Sequence, residues 1–343
     1  MASDPQRLVL RRGRVTDAVA GESPEQRLVV DVAGRGERPA IADVGLVGPS
    51  QPGDDVVVNT QAADLALGSG GFDVVHVNLT RGLDGAGVPG AHVMKLTYSP
   101  LQHAIEPVEQ TDLRLPLGGP VAVIALHGQL APLAWAAGRA RPGLRLGYVQ
   151  TAGGALPGGH SRVVRDLRGR GLLAGHLTAG AAYGGEGEAV TTAGALQHGL
   201  RGLGWDAVVC GPGPGILGSA TPLGHGGLVA LESAHTALAL GCPVVVCPRM
   251  SSGDPRPRHQ GLSHHTATVL DLLLAPVTVA VPPGEAGVIA PRHDVREAEV
   301  DLAGYGASGL PARTMGRGLD ADPLFFAAAL AAGGILATMG DGT

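Results

Sequence analysis

A chain of 343 residues with a hydrophobic share of 44% is long enough for two domains and apolar enough for a real core, which excludes a disordered chain. With 25 basic and 30 acidic residues, a net charge of −5 and only 3% aromatics, it has neither the basic stripe nor the stacking platform of a nucleic-acid binder. Lys95 is the only lysine and follows Met94, so the Gly-Lys-Ser/Thr of a P-loop is missing, and Cys210, Cys242 and Cys247 make neither a disulfide framework nor a CxxC metal knuckle.

The N-terminus, Met-Ala-Ser-Asp-Pro-Gln-Arg, lacks the apolar stretch of a signal peptide. Short valine-rich segments follow at 7–19, 27–32, 39–47, 55–60 and 72–79, separated by turn clusters such as Gly21-Glu22-Ser23-Pro24 and Gly34-Arg35-Gly36. Five short strands without a helix predict a small β-barrel or sandwich over residues 1–100. Residues 101–117, the end of a stretch without clear period that starts near 82, read as a connection.

From Pro120 the rhythm changes to strand, glycine, helix. Apolar strands are expected at Val121–Leu126, Leu144–Val149, Leu172–Thr178, Asp206–Cys210, Pro243–Cys247 and Val277–Val281. Helices are expected at Leu130–Ala140, near 160–170, and at about 188–203, 226–240 and 263–274. Continuous apolar strands alternating with helices of this length predict an open, mostly parallel, Rossmann-like sheet flanked by helices over 118–343. Two apolar stretches mimic membrane spans. Residues 121–138 carry His127, Gln129 and Pro132, and Leu324–Met339 is short and contains Gly333 and Gly334, so a buried strand–helix unit and a buried terminal helix are expected instead. The expected compartment is the cytoplasm.

Ligands of open α/β sheets bind beyond the carboxyl ends of the strands. The loops predicted there are rich in glycine, which permits close approach of backbone amides to a ligand and also serves ordinary tight turns. Gly211, Gly213, Gly215 and Gly218 are the candidate ligand-binding glycines. Gly213-x-Gly215-x-x-Gly218 formally matches a dinucleotide fingerprint. Pro214 has no amide proton to offer, however, Thr221-Pro222 delays the helix, and the only acid near the required spacing, Glu232, falls inside it. No cofactor is inferred.

The most polar loop runs from Arg249 to Thr266. Ser263 is a candidate N-cap that places His264 and His265 in a first helical turn, where neutral imidazoles are favoured. His259, His264 and His265 with Asp254 have the chemistry to hold a metal, and Arg256 and Arg258 that to grip a carboxylate or phosphate. His127 ends the first parallel strand, and Glu186 stands at the head of a helix in a position for acid–base work. The candidate catalytic set is therefore His127, Glu186, Asp254, His259, His264 and His265, expected along one rim of the sheet. Each has an ordinary structural alternative, whether a hydrogen-bonded histidine, a helix cap or an Arg–Asp pair that merely fixes loop shape.

Lys95-Leu-Thr-Tyr-Ser-Pro-Leu-Gln102, Gly184-Gly-Glu-Gly-Glu-Ala189, Gly211-Pro-Gly-Pro-Gly215, Arg256-Pro-Arg-His-Gln-Gly-Leu-Ser-His-His-Thr266 and Thr314-Met-Gly-Arg317 together resemble a bacterial family catalogued as domain of unknown function 3866. The resemblance runs nearly end to end, implies one orthologous unit, and supplies no activity or catalytic residue. The residues alone leave two functional classes. One is an enzyme, a hydrolase or transferase acting on an anionic or phosphorylated small molecule at the C-terminal edge of the sheet. The other is a non-enzymatic regulatory protein that binds a protein partner such as a cytoskeletal or partitioning ATPase. Neither nucleic acid nor membrane is an expected partner, and homo-oligomerisation stays open.

Overall fold

The structure, a computed structural model, describes residues 8–19, 24–67, 70–219 and 221–339. The N-terminal heptapeptide and the Gly21-Glu22-Ser23 turn lie outside these. The chain forms two compact units, Met1–Glu106 and Pro107–Thr343.

In the first unit β1 (Leu10–Ala18), β2 (Glu25–Val32), β3 (Gly36–Asp43), β4 (Asp55–Asn59) and β5 (Asp73–Asn78) close into a barrel in the order β1-β2-β3-β5-β4. Alternation builds its interior. Leu28, Val30 and Val32 point inward along β2, as do Ala40 and Ala42 along β3 and Val56 and Val58 along β4. Two short helical turns, α1 (Val44–Val47) and α2 (Gln61–Asp64), interrupt what the sequence presents as strands alone. The aperiodic stretch after the barrel contains a small antiparallel pair, β6 (Val93–Lys95) with β7 (His103–Ile105).

The second unit is an all-parallel, eight-stranded sheet. It comprises β8 (Val121–Ile124), β9 (Leu146–Thr151), β10 (Gly175–Ala179), β11 (Gly187–Ala189), β12 (Ala207–Pro212), β13 (Val244–Cys247), β16 (Thr278–Val281) and β17 (Asp294–Glu297), ordered β11-β10-β9-β12-β8-β13-β16-β17. The short strands β14 (Met250–Ser251) and β15 (Gly261–Leu262) pair separately. Every residue of β8, β9, β10, β12, β13 and β16 is buried, the result of helices covering both faces. Val121 and Val123 join one core, with residues of α5 (Thr192–Gln197), α6 (Val229–Ala239) and α7 (His264–Leu272). Ala122 and Ile124 join the other, with α3 (Leu130–Ala140), α4 (Arg162–Gly169), α8 (Leu302–Ala307) and α9 (Pro323–Thr338).

The terminal helix α9 packs on α3, and Gly333 permits the close approach: a Cβ there would overlap the Leu133 carbonyl oxygen. Among the described residues no helix is long and apolar enough to cross a membrane. Two edge strands depart from the sequence expectation. β11 occupies the start of the expected helix at 188–203, and β17 carries no apolar run at all.

Candidate functional site

The strand order places a topological switch at β8. The chain leaves β8 for β9 on one side, two positions away, and later fills the gap with β12 before crossing to β13 on the other side. The connection after β8 thus runs to one side and that after its neighbour β13 runs on to β16 on the other, and such divergence opens a crevice at the carboxyl ends, the place where such sheets bind ligands. A cleft of about 600 Å³ lies there, walled by the segments that follow β8, β12 and β13 and by the hairpin around Met315. Gln129 sets the spacing of two walls. Its Oε1 accepts the Ala125 and Leu126 amides at 3.1 and 3.0 Å, and its Nε2 donates to the Cys247 and Pro248 carbonyls at 3.2 and 3.1 Å.

Four arginines line the cleft, Arg249, Arg256, Arg258 and Arg313, with no aspartate or glutamate among the lining residues. Asp254 lies beneath them with no exposed surface. It accepts Arg256 through Nε at 2.9 Å and Nη2 at 2.8 Å, Arg249 Nη2 at 3.2 Å and Arg317 Nη2 at 3.3 Å. The hydrogen bonds from Arg256 hold its carboxyl well below the usual carboxylate range against the opposing effect of burial. Asp254 is thus a counter-ion to three guanidiniums. As an acid, base or metal ligand it would have to abandon them, so it leaves the candidate catalytic set.

A second buried carboxylate, Asp322, accepts Arg317 Nε at 3.0 Å, the Ser251 hydroxyl at 2.7 Å and the Ser252 amide at 2.9 Å, and so pins the start of the loop. Arg258 is exposed and has no hydrogen-bonded or ion-paired partner among the described residues, while Arg313 makes only a 3.1 Å bond to the Gly316 carbonyl.

The histidines gather beside these arginines. His225 stacks on His265 with ring centroids 3.6 Å apart; His264 lies 4.0 Å from His265, and His259 lies 5.0 Å from both His264 and His265. Ser263 caps α7 by accepting the His265 amide, and its hydroxyl sits 2.8 Å from His259 Nδ1. Burial, reinforced by neighbouring guanidiniums, lowers His225 and His259 to about 4, and burial lowers His265 to about 3; His264 moves the same way. All four rings are therefore neutral near neutral pH.

His127 also lines the cleft, but its ring is buried and not exposed as its strand-end position suggests. Its Nε2 is 2.9 Å from Ser161 Oγ and its Nδ1 3.3 Å from the Tyr148 hydroxyl. Because that hydroxyl donates to the Pro212 carbonyl at 3.0 Å, its oxygen receives the His127 Nδ1 proton, and Nε2 faces Ser161 as an acceptor. Both ring nitrogens are spent on internal partners, and burial lowers the group to about 3.

Glu186 is not in the cleft. The segment after β10 doubles back so that β11 can run parallel to β10, which carries Glu186 to the opposite end of the sheet. There it accepts the His176 amide at 3.1 Å and pairs with Arg168 at 2.6 Å.

Of the candidate glycines, Gly213, Gly215 and Gly218 line the cleft and Gly211 does not. Packing explains much of the run. A Cβ on Gly211 would overlap Ile124, one on Gly213 would overlap Gln150, and one on Gly218 would fall 2.7 Å from the His225 ring; Gly215 has φ +78°. No helix opens from the turn: α6 begins only at Val229, so the dinucleotide geometry is missing. Cys210 and Cys242 are buried thiols pushed up to about 12 and about 11 by burial, and Cys247 is buried likewise, the opposite of nucleophile activation.

His225, Arg313 and Asp322 carry no site signal in the sequence, and Met315 and Arg317 appear there only within the Thr314–Arg317 family motif, with no site role. The hairpin Arg313–Thr314 to Arg317–Gly318 turns through Met315 and Gly316 with φ of 47° and 82°, a two-residue turn with both central residues left-handed. It presents the Met315 sulfur to Arg249 Nη2 at 3.4 Å.

A family model described as "Protein of unknown function (DUF3866)" matches residues 39–333. The chain belongs to that family. The match runs from within β3 through the sheet and into α9, leaving out β1 and β2, and it includes every residue that lines the cleft. No curated protein and no solved structure matches the chain.

Proposed function

We propose that the protein is a cytoplasmic enzyme, a hydrolase or transferase, whose substrate is a phosphorylated or otherwise anionic small molecule bound in this cleft. One observation carries the reading: four arginines line the cleft without a single carboxylate among the lining residues, and Arg258 and Arg313 have no acidic partner among the described residues. Exposed guanidiniums converging on a concave site at a strand-end crevice are complementary to phosphate or carboxylate oxygens. The neutral imidazoles of His259 and His265, which line the cleft, and of His264 packed behind them supply proton-transfer or ligand chemistry, and the segment Gly213–Gly218 also lines the cleft.

The test is calorimetric titration with inorganic phosphate, pyrophosphate and nucleotides, in wild type and Arg258→Ala. The expected result is saturable binding that the variant weakens roughly tenfold or more, the equivalent of one charge-assisted hydrogen bond. Equal binding by both, or none by either, overturns the reading. In that event, capture of an ATPase partner by the apo protein would favour the regulatory alternative.

A further inference from the structure

We propose that His259, His264 and His265 form a binding site for one divalent transition-metal ion of the zinc or cobalt type. One ring nitrogen of each lies within 4.8 Å of the others. Metal ligation would draw these atoms together by up to about 1.5 Å, since tetrahedral nitrogen ligands roughly 2.0–2.1 Å from zinc lie about 3.4 Å apart.

Three independent features support this assignment. The Nε2 atoms of His264 and His265 are buried and have no hydrogen-bond partner among the described residues, and His265 is only 4% exposed. An unsatisfied buried ring nitrogen is costly unless something binds it. His259 Nδ1 is held by Ser263 Oγ at 2.8 Å, which fixes the ring and leaves Nε2 for an ion, the supporting arrangement usual for ligating histidines. The set is all imidazole, without a carboxylate, which suits zinc, cobalt or nickel and not magnesium or calcium. His225 stands apart from the set. It accepts the Gly227 amide on Nδ1 at 3.0 Å, so its Nε2 carries the proton and cannot ligate in that tautomer.

Two features oppose a cation and shape its behaviour. Ligation through His265 Nε2 puts the ring proton on Nδ1, where Arg249 Nη1 donates at 3.5 Å. Arg249 keeps Asp254 at 3.2 Å and the Met315 sulfur at 3.4 Å, so the long contact to His265 is the one given up. The cleft arginines also repel a cation, and neutral imidazoles provide no compensating charge. An anion in the cleft does, and three protein ligands leave a fourth position open to its oxygen or to water. Metal and anion should therefore tighten each other. The role of the ion rests on the anionic-cleft reading; its binding does not.

The full chain, stripped of metal with chelator, is titrated with zinc chloride by calorimetry and cobalt chloride by visible absorption, in phosphate-free buffer and again with inorganic phosphate. One equivalent is expected. His264→Gln should lower affinity beyond the roughly 10–100-fold typical of losing a supporting group. Nitrogen-resolved NMR of the wild-type imidazoles gives a readout that needs no variant: zinc should shift three rings. Phosphate should raise the zinc affinity. Absence of saturable binding, unchanged binding by His264→Gln, or unshifted ring nitrogens overturns the site. Phosphate binding without metal binding sinks the metal site and leaves the anionic cleft standing. Metal binding without phosphate binding does the reverse.

Discussion

Asp254→Asn isolates the part of the cleft that holds its shape. The substitution preserves volume but removes the charge shared by Arg249, Arg256 and Arg317 and turns an amide donor toward donors. Arg249 suffers most, because its side chain is 3% exposed and Asp254 is its only carboxylate contact within salt-bridge distance among the described residues. Removing one partner of a buried pair costs about 3–5 kcal/mol, well above the 0–1 kcal/mol of a surface pair. For a unit of this size that lowers the melting point by roughly 6–20 °C.

Urea unfolding followed by tryptophan fluorescence measures the effect cleanly, since Trp135 and Trp205 are the only tryptophans and both lie in Pro107–Thr343. The pH dependence has a defined sign. The folded carboxyl is held below its unfolded value, so its stabilisation is fully present above about pH 4 and is lost as pH falls toward the folded value. The gap between wild type and Asp254→Asn should therefore stay constant from pH 7 to about pH 4 and shrink as the pH falls below that. A variant within about 1 kcal/mol of wild type at pH 7, or a gap independent of pH, would refute the claim that Asp254 is the structural counter-ion of the cleft.

Arg256→Ala and Arg258→Ala should behave differently despite their adjacency. The first removes the fork on Asp254 and lowers urea stability by about 1–3 kcal/mol, while the second leaves the unfolding midpoint unchanged and weakens only anion binding. Met315→Asn should stabilise the second unit by about 1 kcal/mol in the same unfolding experiment, since asparagine tolerates the left-handed turn position that methionine occupies under strain. Gly333→Ala gains about 1 kcal/mol of helix propensity but drives a Cβ into the Leu133 carbonyl; a net loss of about 1–2 kcal/mol is expected, and a more stable variant would mean that α3 and α9 separate easily.

Central strands were legible because burial on both faces makes them unbroken apolar runs, whereas the edges were not. β17 is Asp-Val-Arg-Glu, with the charged residues that keep an exposed edge from pairing with another chain, and the single Val295 makes no apolar run to mark it. β11 is three residues long and begins inside a glycine-rich loop, so its sequence reads as the approach to a helix. The same strand displaced Glu186. Strand-end logic assumes that a loop goes straight into its helix, and here the loop first reverses along β10.

The site was legible where it is local. His259, His264 and His265 lie within seven residues, close enough for sequence spacing alone to suggest a shared wall. Their chemical state was not legible, because it depends on partners far along the chain. Arg317 and Asp322 reach the loop across more than sixty residues, and Arg317, with Arg249 and Arg256, converts Asp254 from a candidate ligand into a spent charge. That conversion gives the cleft its character. With both nearby carboxylates neutralised below the surface, the groups left facing the cavity are guanidiniums and uncharged imidazoles. A phosphate oxygen is complementary to the first and a transition metal to the second, and each removes the electrostatic objection to the other.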